Sequence, residues 1–172
     1  VGTVRGGTSV NAIAAEARMA IDMRSNNAEE LAKIEVQVLA LIKDAAAEEN
    51  KRWNSDKISV EMNLIGARPA GAIPEDAAIV QASRRAVGTV SRPARVIFAG
   101  SSTDSNIAMS LGIPAVTLGG GGEGGAWHSP REWYKPTDAH LGPQHVLLTA
   151  LALVGVDGVS KPLLAIRPPR QK

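Results

Sequence analysis

The side chains of this 172-residue chain that could do chemistry concentrate in one stretch. Residues 100–134 read GSSTDSNIAMSLGIPAVTLGGGGEGGAWHSPREWY, joining a polar turn, a short apolar run, a glycine loop and one histidine, His128. His128 has two readings, a metal ligand or an ordinary histidine, and the first needs a neutral imidazole with a free nitrogen. Ser129-Pro130-Arg131-Glu132 spells a capping box with proline at the first helical position. That places His128 just before an N-cap, where the helix dipole disfavours the imidazolium. It also gives Glu132 a structural task, reaching back to the Ser129 N–H, rather than ligation. A single histidine does not make a metal site, so any partners of His128 must be sought elsewhere.

The other polar groups divide in the same way. Gly119, Gly120, Gly121 and Gly122 follow an apolar run, the place where α/β proteins hold ligands. They are either a pliant turn or a point of close backbone approach to a substrate, with N–H groups free for an anion. No Gly-Lys-Ser/Thr ends the loop, so it is not a Walker phosphate loop. Residues 101–104 (SSTD) suit the cap of a helix starting near Thr103. No nucleophile elbow surrounds the serines, which argues against a triad of Ser102, Asp104 and His128. His140 and His145 lack an HExxH pattern and read as structural, and the Glu29-Glu30 and Glu48-Glu49 pairs as solvated.

These residues must be positioned by elements that the hydropathy pattern outlines. Residues 1–5 predict a strand with a turn at Gly6-Gly7, and residues 17–24 alternate, with Met19, Ile21 and Met23 on one face. Asn27 is a good N-cap, and Leu31, Ile34, Val38, Leu41 and Ala45 space an amphipathic helix to about Trp53. Residues 58–64 alternate again as a strand. Strand, strand, helix and strand predict a small α+β layer with one helix over an antiparallel sheet. Residues 66–74 (GARPAGAIP) read as a linker. Beyond them, helices are expected over 75–86, 103–111 and 143–154, with buried strands at 95–99 and 114–118, a parallel α/β pattern.

Composition bounds the function classes. A net charge of +2 gives no electrostatic case for nucleic acid, and the basic residues 167–172 read as a solvated tail. The chain has no cysteine, which removes disulfides and thiolate ligands. No apolar run approaches the ~20 residues of a membrane span, and no signal peptide is visible. A cytoplasmic protein without a membrane partner is expected. The chain opens at Val1 without a methionine, so its gene is expected to begin further upstream.

Two passages together resemble the two-zinc metallopeptidases of the aminoacylase, carboxypeptidase G, peptidase T and acetylornithine deacetylase family. Residues 6–13 (GGTSVNAI), Ala15-Glu16-Ala17 and Asp22-Met23-Arg24 are similar to part of that family's lid, or dimerisation, domain. Residues 102–106 (STDSN), 112–116 (GIPAV) and 125–129 (GAWHS) are similar to the end of its catalytic domain. The resemblance implies half of a ferredoxin-like lid over residues 1–68 and the C-terminal part of an α/β zinc-peptidase catalytic domain over residues 69–172. It implies that His128 is one zinc ligand, that Asn11 and Arg24 hold a substrate carboxylate, and that Gly119 to Gly122 line the same pocket. A guanidinium fork suits a carboxylate well. The cofactor would be two zinc ions per site, the substrate a small peptide or N-acyl amino acid with a free carboxylate, and the assembly a homodimer through the lid. The family's remaining ligands and its general-base glutamate would lie upstream of Val1, in the same protein or a separate chain. No catalytic residue is then expected in this chain, which alone would be inactive. The alternative is a non-catalytic dimerisation or small-molecule binding module derived from that family.

Overall fold

The computed structural model describes residues 1–90 and 95–165. The basic tail expected to be solvated lies outside the described residues. Internal contacts divide the chain into two compact units, Val1–Ala70 and Gly71–Lys172. The architecture is mixed α/β, with two small antiparallel sheets and four helices among the described residues.

In the first unit, local signals suffice for a long helix, α1 (Ala28–Arg52). Asn27 caps it as expected, its Oδ1 accepting from the Glu29 N–H at 2.8 Å and the Glu30 N–H at 3.1 Å. Glu29 and Glu30 in the first turn and Lys51 and Arg52 in the last complement the macrodipole. At 25 residues the helix exceeds the length at which isolated helices become marginal, ~12–15 residues. Strands β1 (Thr3–Gly6) and β2 (Ala17–Ala20) pair antiparallel, with Val4 opposite Met19 and Arg5 opposite Arg18. The like-charged pair is relieved by Glu16, whose carboxylate accepts from both Nε and Nη2 of Arg18.

The expected layer of helix over sheet is not closed. No Cα of α1 lies within 8 Å of one in β1 or β2. The side of α1 that is half-covered runs through Leu31, Val38, Ile42 and Ala46, while Ile34 and Leu41 of the predicted stripe are exposed. Residues 58–64 form no strand either. Asn50 satisfies Ile58 instead, its Nδ2 donating to the Ile58 carbonyl at 2.8 Å and its Oδ1 accepting the Ile58 N–H at 3.0 Å. A side-chain amide thus stands in for a neighbouring strand at one residue, and Met62 and Leu64 stay exposed.

In the second unit the core is a helix pair, α2 (Ala78–Val90) against α4 (Leu141–Val154). Small residues allow the close approach: Ala82, Ser83 and Ala86 are buried on α2, and Gly142, His145 and Thr149 on α4. Val80 and Leu153 are the larger buried apolar side chains. His145 is buried within this pair, while His140 stands at the start of α4 without a side-chain capping bond. A short helix, α3 (Ser105–Ser110), and a hairpin of β3 (Glu123–Gly125) with β4 (Trp133–Lys135) complete the unit.

Three expectations fail here. Residues 95–99 and 114–118 are not strands, so no parallel sheet forms among the described residues. Helix α3 lies between them as a crossover would, yet neither segment finds a hydrogen-bonded neighbouring strand among the described residues, and a strand exists only when paired. The helix predicted from Thr103 starts at Ser105, and Asp104 makes no side-chain cap bond. Asn106 reaches back instead, its Oδ1 accepting the Thr103 N–H at 2.9 Å. The segment at Ser129 does not open a helix at all. It is the connection between β3 and β4.

Candidate functional site

In the first unit Asn11 lies on the loop between β1 and β2, and Arg24 lies just beyond β2, both exposed. Each is oriented by a neighbour two residues away. Ser9 Oγ donates to Asn11 Oδ1 at 3.1 Å, which turns the Nδ2 donor of the amide outward from that bond. Arg24 grips Asp22 with a two-point fork, Nε to Oδ1 at 2.8 Å and Nη2 to Oδ2 at 2.6 Å. The fork lowers the Asp22 carboxyl below the usual carboxylate range, chiefly through the Arg24 hydrogen bonds. It raises Arg24 in turn for the same reason. A guanidinium has five N–H donors, so its Nη1 edge stays available for a second carboxylate. Asp22 was legible only as part of a motif, and its task of holding Arg24 emerges from the geometry.

In the second unit His128 sits on the turn of the β3–β4 hairpin, exposed, with a left-handed backbone at φ 62°. Ala126, two residues earlier, is also left-handed at φ 53°. Such a conformation costs a non-glycine residue ~1–2 kcal/mol and must be held by its surroundings. Four hydrogen bonds do so. Ser129 Oγ donates to the Ala126 carbonyl at 2.7 Å and accepts the Arg131 N–H at 3.2 Å. The Glu132 N–H donates to the Ser129 carbonyl at 3.0 Å, and Glu132 Oε2 accepts the His128 N–H at 3.0 Å. Neither expected capping-box bond forms: Ser129 Oγ accepts from Arg131 instead of Glu132, Glu132 accepts from His128 instead of Ser129, and the residues close a turn. With no helix following, the dipole argument for a neutral His128 no longer applies.

The glycine loop separates into two halves. A Cβ at Gly119 or Gly120 would meet nothing within 4 Å. At Gly122 it would lie 2.5 Å from the Tyr134 hydroxyl, and at Gly121 it would collide with the Ala139 carbonyl. Both have positive φ, 84° at Gly121 and 75° at Gly122. Close contacts with the chain itself therefore account for Gly121 and Gly122, whereas a Cβ at Gly119 or Gly120 would meet open space. Tyr134 links the loop to the hairpin, its hydroxyl donating to the Gly121 carbonyl at 3.5 Å. Before the loop, Ser105, Thr117 and Thr103 share hydroxyl contacts of 2.9 Å, tying the start of α3 to the segment that leads into the glycines.

As a metal centre the arrangement supplies one donor. Among the described residues neither imidazole nitrogen of His128 has a hydrogen-bond partner, which suits a ligand. No group of three or more His, Cys, Asp or Glu that could hold an ion is present among them. A zinc shell of four ligands is not assembled by these described residues. No helix among the described residues is long and apolar enough to cross a membrane.

No match was found among curated proteins. A family model described as the peptidase dimerisation domain does match, over residues 1–50, covering β1, the Asn11 loop, β2, Arg24 and nearly all of α1. Residues 1–50 are thus similar to a peptidase dimerisation domain.

Proposed function

We propose that the chain is the C-terminal portion of a two-zinc amide hydrolase, a peptidase or N-acyl amino acid deacylase whose substrates bear a free carboxylate. Residues 1–68 are the lid part, which dimerises and offers Asn11 and Arg24 to the carboxylate. Residues 69–172 are the end of the catalytic domain and lend His128 as a single zinc ligand, with Gly119 and Gly120 of the glycine run beside the substrate. The observation that carries this reading is the dimerisation-domain match over residues 1–50, which contains both carboxylate-binding candidates. The Asp22–Arg24 fork supports it, since it holds the guanidinium while leaving an edge for a ligand. Two-metal hydrolases place their ions roughly 3.5–4 Å apart, which takes several carboxylates. His128 can provide only one donor to such a pair.

The second reading, a non-catalytic dimerisation or small-molecule binding module, needs only the residues within the 1–50 match. The two differ in the metal content and hydrolytic activity of the full-length gene product. Elemental analysis should find about two zinc ions per protomer, with hydrolysis of N-acyl amino acids or dipeptides lost on chelation. A dimeric product with neither zinc nor hydrolysis leaves the binding module.

A further inference from the structure

The hairpin turn contains a device that the sequence pattern assigned to a helix. His128 holds a left-handed backbone, and the bond to its own peptide N–H comes from the Glu132 carboxylate, four residues on, at 3.0 Å. The remaining bonds of the turn act on Ala126, Ser129 and Arg131. Rotation of the His128 backbone out of the left-handed region would redirect its Cα–Cβ bond and swing the imidazole away. We infer that Glu132 is a positioning residue, which fixes the His128 backbone and thereby the direction in which the imidazole is presented to a metal. The metal half of this inference rests on the reading of His128 as a zinc ligand.

The carboxylate is used here as a hydrogen-bond acceptor, and this separates positioning from ligation. A glutamine at position 132 keeps an acceptor oxygen for the His128 N–H but is a poor zinc ligand; alanine removes both functions. In the metal-free full-length protein, the His128 backbone amide resonance should be kept in E132Q and displaced in E132A. Unchanged α4 amides serve as the check that E132A is folded. In the zinc-loaded protein, competition with a chelator should show E132A binding zinc about 10–100-fold more weakly, the usual loss for an orienting partner. E132Q should stay within a few-fold of the parent.

A His128 amide unmoved in E132A overturns the positioning role. Equal zinc loss in E132Q and E132A overturns it as well, since the charge and not the acceptor would then matter. Full zinc content in H128A would instead overturn the ligand reading and the metal half with it, while the amide comparison still decides the backbone role.

Discussion

The two units hold their candidate residues by different means. In the first, each contact that orients a candidate spans two residues of sequence: Ser9 to Asn11 and Arg24 to Asp22. The Glu16–Arg18 pair nearby follows the same spacing. In the second unit the contacts reach further, four residues from Glu132 to His128, 13 from Tyr134 to Gly121 and 14 from Thr117 to Thr103. Residues 1–24 therefore present their groups by local chain geometry on a frame with little buried core, whereas the second unit needs its tertiary fold to shape the glycine loop. A substitution inside the second unit should act over a distance, and one in the first should act where it is made.

The sharpest way to break that contrast is Gly142→Val. Gly142 is buried in the first turn of α4, and a Cβ there would collide with the Gly120 carbonyl and lie 2.6 Å from the Gly121 nitrogen. Overpacking of this kind costs about 3 kcal/mol. For a unit of this size that lowers the thermal midpoint by on the order of 10–20 °C. Hydrogen exchange should show the α4 amides opening and the α1 amides unchanged. Equal loss of protection in α1 would mean that the two units unfold as one and that the contrast is false.

Legibility in the sequence followed the same division. Helix α1, its Asn27 cap and the first half of the strand expected over residues 17–24 were readable because the determinants lie within a few residues of one another. The segments 58–64, 95–99 and 114–118 have the composition of strands but fold as none. A strand is completed by a neighbour, and alternation reports only willingness to pair. At Ser129 the residue types were right and the element wrong. The same hydroxyl and carboxylate that cap a helix also close a turn, and the outcome depends on β4 folding back on β3. Within the candidate site, residue types pointed to His128, and the family resemblance to Asn11 and Arg24. Gly121 and Gly122 could be separated from Gly119 and Gly120 only with Tyr134 and Ala139 in place.

Asn27→Ala is the matching perturbation in the first unit, and a smaller one. Losing an N-cap costs about 1 kcal/mol. The Glu29 and Glu30 amides lose their acceptor, so their exchange protection should fall, with the effect fading along α1 and absent from α2 and α4. Destabilisation that reached the α2–α4 pair would show that the first unit is not locally determined.

The smallest effect concerns Asp22, and it tests whether a local contact can carry function. Both partners of the fork are largely exposed, so its worth to stability is slight. The Asp22 carboxyl is shifted below its unfolded value, so whatever the pair contributes is fully present above about pH 3.9 and is lost as pH falls through the folded value. The Arg24 Nε resonance should accordingly stay constant from neutral pH and move only below that range. For an N-acyl amino acid bound to the full-length protein, Arg24→Ala removes a charge-assisted contact and should weaken binding by about 10-fold or more. Asp22→Asn leaves the guanidinium in place with one acceptor instead of two, and should weaken binding by only a few-fold. If Asp22→Asn proved the more damaging of the two, the fork would be a structural clasp and Arg24 would not be the group that meets the substrate.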